Sequence, residues 1–477
     1  MTAVEARVDA PAGCVPPDWV ALLPGGRLGA VAVVGPRTPA AEQAVRAGRP
    51  APVGGPADTV VVTDDRAANV RAALALVGPA GVVRIERSRR RRRARTRWLL
   101  RQHPMADVAT WWARPALDAP RCLVRLDDRV AAATVVRTVA DRRRRTAVEA
   151  LLARIGVADV LAGPVTILAV AAGGRPEPAL AEPADGRRID GLVTPGYRRS
   201  RAVIGVTTDG TGRRLHGVAK VARRPEDDAG VAVEAAALGE LARRTGGFGA
   251  APQGARALHR GGRLVLVEGA VAGRPLDRRA VRRDPVAALV AGRRWVDALP
   301  RSAPTPPAED GRAETLLRAP LAAVAARPGI DPATVEAAAG VLGTLAAIPL
   351  PVVFEHGDLG HPNLLVDRGT LRAVDWERAR PDGLPLHDLV FLVAYLTESA
   401  ERPAALGPAV VRALRPHGWA RAELDVHVER LALDRRAIPG LQVACWTRCL
   451  AARPADATAP REEALWRAAV AAAVGAS

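Results

Sequence analysis

The sequence predicts two structural classes in succession: an α/β sheet domain over residues 1–172 and, beyond a linker at 173–190, an α+β region with strands at 191–270 and helices at 271–477. Three observations predict this. Up to residue 172, short apolar runs alternate with helical patterns, as expected of helices laid on a sheet. Around residues 171–191 the chain is rich in Pro and Gly and has no period, which marks a connection. Beyond it, alternating strands give way to helical periods bounded by Pro or Gly.

In the first region the strands are read at Gly29 to Val34, Asp58 to Thr63, Gly81 to Ile85, Val108 to Ala113 and Cys122 to Leu126. Helices are read at Ala40 to Ala47, Ala67 to Val77 and Ala94 to Gln102, with one long helix from Ala131 to Ile155. In the second region Arg201 to Thr207 and Leu215 to Ala222 form a hairpin, Gly230 to Arg243 a helix, and Arg263 to Glu268 a further strand. Helical periods then cover Pro285 to Leu299, Ala313 to Ala326, Pro332 to Ala347, Leu386 to Ser399, Pro408 to Leu414, Ala420 to Asp434 and Glu462 to Val474.

Composition bounds the class of protein. Aromatic residues are 3% of the chain against 49% hydrophobic, so the cores are built mainly from Ala, Val and Leu. A run of about 18 uncharged apolar residues is absent, which argues against a membrane span. Glu5 and Asp9 stand where a secretory signal would be basic, and four scattered cysteines do not make a disulfide framework, so a cytoplasmic location is expected. Cys445 and Cys449 sit four apart in a helical stretch and read as core packing. The net charge of +19 is densest at Arg84 to Arg97 and Arg142 to Arg145. Neither block has interleaved stacking aromatics or a zinc-finger spacing, which argues against nucleic acid as the primary partner.

One lysine, Lys220, stands among 68 arginines. On an alternating apolar strand, its compact ammonium can sit as a point charge between phosphate oxygens, which a forked guanidinium does poorly. Further on lies His356-Gly357-Asp358, then Asn363, then Asp375-Trp376-Glu377. Asn69 is the only other asparagine in the chain. Phosphoryl transfer needs a carboxylate beside the accepting hydroxyl and oxygen ligands for magnesium. Asp358, on the turn after Gly357, is the candidate for the first role, and Asn363 and Asp375 for the second. Asn363 to Val366, the turn Asp367-Arg368-Gly369 and Leu371 to Val374 read as a hairpin that returns Asp375 to the end where Asn363 stands.

This set resembles the active centre of the aminoglycoside phosphotransferase and choline kinase-like family, relatives of protein kinases. The resemblance implies a bilobal protein-kinase-like fold, ATP and Mg2+ as cofactors, and a small-molecule hydroxyl as phosphate acceptor. It implies that Lys220, paired with Glu234, holds the phosphates, that Ser200 and nearby amides cover them, and that adenine meets backbone at the hinge beginning at Glu268 and Ala270. His356 and Asp388 are implied as supports of the catalytic loop. The covering segment, Gly196 to Arg201, departs from a Gly-rich GxGxxG. No Walker-type loop is present. The first region resembles the carboxy-terminal half of a Rossmann-like methyltransferase, on Asp58 to Asp64, Leu76 to Pro79, Gly81 to Ile85, Trp111-Trp112 and Cys122 to Leu126. It lacks the glycine-rich turn after its first strand, where only Gly35-Pro36-Arg37 follows, and so reads as degenerate. The alternative to an enzyme is a pseudokinase, a binding module in which both halves serve as scaffolds.

Overall fold

The computed structural model describes residues 18–23, 28–86, 90–114, 120–139, 143–155, 165–171, 180, 188–194, 202–260, 262–360, 363–454 and 459–475. The chain forms two compact units, one of residues 1–235 with 254–270 and one of residues 236–253 with 271–477. The fold is mixed α/β, with a large sheet in the first unit and mainly helices in the second.

The strands of the first unit are β1 (Ala30–Val34), β2 (Arg49–Pro50), β3 (Ala57–Val62), β4 (Val77–Ile85), β5 (Met105–Arg114), β6 (Cys122–Arg125), β7 (Val165–Ala171), β8 (Gly191–Val193), β9 (Ala202–Thr208), β10 (Leu215–Ala222), β11 (Arg256–Arg260) and β12 (Arg263–Gly269). They form one sheet in the order β11-β12-β10-β9-β8-β6-β5-β7-β4-β3-β1-β2. The β2-β1-β3-β4 end is parallel, and every pairing from β4 to β11 is antiparallel. Successive side chains point to opposite faces, so each strand feeds two cores. On one face Val31, Val61, Val82 and Trp111 pack with Trp19 and with Ala41 and Ala44 of the helix Pro39–Ala47. On the other, Val62, Ile85 and Ile167 pack with Leu99 and Leu100, while Trp112 and Val124 pack with Ala132, Ala150 and Ala153.

The boundary expected at 173–190 does not separate two sheets. Strand β8, immediately after it, pairs with β6 on one side and β9 on the other, so backbone hydrogen bonding runs through. Gly191 permits this, since a Cβ there would lie 2.6 Å from Val135 on the helix Arg129–Val139. The helix read as Ala131 to Ile155 is two helices, Arg129–Val139 and Arg143–Ile155, whose apolar sides share one core.

In the second unit, helix starts follow local chemistry. Asp284 and Asp331 cap helices Pro285–Asp297 and Pro332–Ala346, accepting backbone N–H groups, and proline fills the first helical position. The helical stretch read around Cys445 and Cys449 is the helix Ala437–Ala451, whose bounds the sequence does not mark. Eleven of its 15 residues are buried, so it lacks a polar face. Two small sheets complete the unit: β13 (Arg274–Pro275) with β16 (Leu364–Asp367) and β17 (Thr370–Ala373), and β14 (Arg301–Thr305) with β15 (Leu350–Glu355) and β18 (Arg380–Gly383). No helix among the described residues is long and apolar enough to cross a membrane.

Candidate active site

Strand β15 runs directly into His356-Gly357-Asp358. Gly357 has φ +79°, and a Cβ there would collide with the carbonyl oxygen of Arg378. Glycine is therefore required for the turn that presents Asp358. The His356 ring is fully buried, which lowers its pKa to about 4 and keeps it neutral. Its Nε2 lies 3.1 Å from the Val374 carbonyl, which can only accept, so Nε2 carries the proton. Nδ1 is left to accept the Asp358 backbone N–H at 3.3 Å. One imidazole thus ties the turn carrying Asp358 to the strand end that leads into Asp375.

Asp388, in the first turn of the helix His387–Glu401, holds the same loop from behind. Its two oxygens accept the backbone N–H groups of His356 at 2.7 Å and Gly357 at 2.9 Å. Burial and the neighbouring Glu355 push its pKa up to about 7, while those two donors pull the other way.

Asn363 and Asp375 are brought together by a two-residue hairpin. Strands β16 and β17 pair from Leu364↔Ala373 to Asp367↔Thr370, and the connecting Arg368 and Gly369 both have positive φ, as a type I′ turn requires. At the open end Val374 donates its N–H to the Asn363 carbonyl at 3.0 Å. The Asn363 side-chain nitrogen donates to the Asp358 carbonyl at 2.9 Å, which orients the amide. Asp375, the next residue along, has φ +70°, a left-handed conformation uncommon outside glycine. Trp376 anchors it from below. It is fully buried, with its ring centroid 4.7 Å from His356, 5.7 Å from Trp295 and 6.1 Å from Phe354.

The Asp358 carboxyl itself is partly desolvated. Burial raises its pKa to about 6, with Asp375 and Glu377 adding to the rise and Arg378 opposing it. A carboxylate poised near neutral pH is suited to receiving a proton.

Under this loop lies a buried charge network that sequence reasoning missed. Glu355 is fully buried and contacts Arg448, on the helix Ala437–Ala451, through both carboxylate oxygens, one at 3.0 Å and one closer. Burial opposes its ionisation, but Arg448 outweighs that and holds its pKa at about 2. His387 is kept neutral by burial, with a pKa of about 4. Its Nε2 donates to the Gly357 carbonyl at 3.4 Å, so Nδ1 accepts from Arg448 at 3.3 Å. The available signal was Glu355 itself, a charge closing the apolar run Val352-Val353-Phe354. The fold brings His387 within 4.8 Å of the ligand atoms of Cys445 and Cys449. Both of its nitrogens already have partners and the Arg448 cation is adjacent, an environment that disfavours a metal ion.

Lys220 sits in β10, opposite Ile204 on one side and Leu266 on the other. Its Nζ is 2.6 Å from Oε2 of Glu234 on the helix Asp228–Thr245, with the two side chains 10% and 2% exposed. Glu240, on the same helix, is instead held by Arg243 and Arg244. Glu268 faces Val218 across the β10–β12 ladder, and Ala270 continues it by donating to the His216 carbonyl at 3.0 Å. Ser200 and the covering segment 196–201 lie outside the described residues, as does His361. Lys220, Glu234, Glu268 and Ala270 therefore belong to the first unit, and Asp358, Asn363, Asp375, His356 and Asp388 to the second.

Lys220, Glu234, His356, Asp358, Asn363, Asp375 and Asp388 fall within a segment that matches a known family. Residues 199–425 match the model of the phosphotransferase enzyme family. Among solved structures, a glucosamine kinase in complex with glucosamine, ADP and inorganic phosphate is 21% identical, covering 62% of this chain and 89% of that one at a TM-score of 0.35. An aminoglycoside phosphotransferase from Streptomyces rimosus is 21% identical, covering 55% and 90% at a TM-score of 0.33. A choline/ethanolamine kinase family protein from Mesorhizobium loti is 20% identical, covering 56% and 88% at a TM-score of 0.31. No curated protein matches the chain.

Proposed function

We propose that this protein transfers the γ-phosphoryl group of ATP, in the presence of Mg2+, to a hydroxyl of a small molecule. The observation that carries the reading is the joint bracing of Asp358, Asn363 and Asp375: one imidazole, one amide and one hairpin end link all three. Asn363 and Asp375 offer hard oxygen ligands that fit Mg2+, and Lys220, fixed by Glu234, offers a compact charge that fits phosphate oxygens. Bound Mg-ATP would supply the phosphoryl group and offset the charge that builds on it. Asp358 orients the acceptor hydroxyl and takes its proton, and its raised pKa matches that task. His356 and Asp388 position this loop, Glu268 and Ala270 meet the base, and Ser200 covers the phosphates. Residues 191–270 serve as the nucleotide-holding lobe and 271–477 as the helical lobe.

The acceptor belongs to the small hydroxylated molecules, the class that includes sugars, aminoglycosides and choline-like alcohols. Residues 1–172 are a degenerate methyltransferase-like domain, supported by the single Gly35 turn after β1, where Pro36 follows and no glycine-rich approach exists.

The test is an ATP-consumption screen across hydroxylated metabolites and antibiotics, with the Asp358→Ala protein as blank. Consumption by the wild type alone with at least one acceptor supports transfer. Equal consumption by both proteins overturns it. ATP binding without consumption anywhere in the screen supports the pseudokinase reading instead.

A further inference from the structure

The turn that presents Asp358 lies between two glycines, Gly357 and Gly360, so its own backbone resists displacement weakly. Asp388 fixes the near end through the N–H groups of His356 and Gly357. The far end meets a side chain that the phosphotransfer chemistry leaves unused. Tyr395 stands seven residues beyond Asp388 on the helix His387–Glu401, two turns on and therefore on the same face. A Cβ on Gly360 would lie 3.1 Å from Cζ of Tyr395 and 3.2 Å from both of its Cε atoms, so the hydroxyl end of the ring rests against the loop backbone. The buried Leu359 seats the turn, and Tyr395 sets where Gly360 stops.

The ring is itself held. The guanidinium carbon of Arg461 lies 4.5 Å from its centroid, a cation–π contact. Nε of Arg461 donates to Oε2 of Glu398 at 3.1 Å, and Glu398 follows Tyr395 by three residues on the same helix. Phe391, one turn before Tyr395, packs with a centroid separation of 5.2 Å, and Phe391 in turn lies 5.9 Å from Trp446 on the buried helix Ala437–Ala451. Movement of the ring away from Gly360 would disturb each of these contacts. The ring also senses the carboxyl it flanks: burial raises the pKa of Tyr395, Arg461 opposes the rise and the Asp358 charge adds to it.

We propose that Tyr395 is a positioning residue for Asp358, its ring fixing the far end of the turn as Asp388 fixes the near end. The functional consequence rests on the phosphotransfer reading above. Displacing a reacting group by about 1 Å costs about a hundredfold in rate. Releasing Gly360 frees that end of the turn for such a movement.

Three full-length variants test it. Tyr395→Ala removes the ring, Tyr395→Phe keeps it, and Gly360→Ala presses a methyl group against it. Two quantities are read: hydrogen exchange at the amides of residues 356–360, and phosphate transfer from Mg-ATP to an acceptor found in the screen, or to water. Tyr395→Ala is expected to speed exchange at these amides and to lower kcat about tenfold, with the KM for ATP within about twofold of wild type. Tyr395→Phe should restore both. Gly360→Ala leaves no cavity and should lower kcat in the same way, so it carries the test if Tyr395→Ala does not fold. Exchange or turnover equal to wild type in the two Ala variants would overturn the proposal. So would a rise in the KM for ATP as large as the fall in kcat, or a Tyr395→Phe protein as impaired as Tyr395→Ala. If the wild type transfers no phosphate that Asp358→Ala abolishes, the phosphotransfer reading fails, and exchange alone then decides whether Tyr395 holds the turn.

Discussion

Two buried cation–carboxylate pairs, Lys220–Glu234 in the sheet unit and Arg448–Glu355 in the helical unit, are built differently. Lys220 reaches Glu234 at 2.6 Å from a strand. Arg448 meets both oxygens of Glu355 and also His387, and Glu355 in turn accepts the Leu384 N–H. The first pair fixes a point charge, and the second closes a network on itself beneath the Asp358 loop. The difference teaches that burial of an ion pair does not define its task. A compact ammonium held at one point suits a ligand's phosphates, whereas a forked guanidinium saturated by protein suits a scaffold.

The largest expected effect comes from breaking the scaffold pair. Arg448→Met leaves Glu355 charged and buried without its partner and should cost about 3–5 kcal/mol in denaturant unfolding. The double variant Arg448→Met/Glu355→Leu should recover most of that loss, because no uncompensated charge remains. If the double variant is no better than the single, the pair does not act as described.

Gly357→Ala comes next, since it forces a side chain into a left-handed turn against the Arg378 carbonyl. A loss of about 1–3 kcal/mol is expected, together with reduced turnover as Asp358 is displaced. Lys220→Arg should sharpen the comparison from the other side. Charge is retained and the thermal midpoint changes little, but ATP turnover falls about tenfold or more. Turnover equal to wild type would remove Lys220 from the phosphate site.

The smallest effect is a pH dependence of stability. His356 and His387 have folded pKa values of about 4, below the unfolded value of about 6.5, so the unfolded chain binds more protons between them. Stability should therefore fall as pH drops from about 6.5 to about 4. Asp388, raised to about 7, acts in the opposite sense between about 4 and 7, but one carboxyl opposes two imidazoles. Glu355 adds a further loss below about 4.5 as its carboxylate is protonated toward about 2. Thermal midpoints measured across pH 4 to 7 check the sign.

Local chemistry made part of this legible in the sequence. The hairpin that returns Asp375 toward Asn363 follows from two alternating runs around Arg368-Gly369, and the Lys220 strand and Glu234 helix follow from their periods. The continuous sheet was not legible, because β8 is three residues long and stands directly after a stretch rich in Pro and Gly. The role of Arg448, in the helical stretch read around Cys445 and Cys449, was hidden for a different reason. Its helix is buried nearly all round, with Pro439 in its first turn, so neither an amphipathic period nor a clean start signal marks it. Partners so far apart in sequence, Glu355 with Arg448 and His356 with Asp388, are set by tertiary packing that no local pattern encodes.

The central proposal is that Asp375 and Asn363 hold the metal of a bound nucleotide. Calorimetric titration of ATP with and without Mg2+ tests it most directly, using the wild type and Asp375→Ala. The account predicts that Mg2+ strengthens ATP binding in the wild type and that Asp375→Ala loses this enhancement. Absence of ATP binding by the wild type, or an equal Mg2+ effect in both proteins, would contradict it.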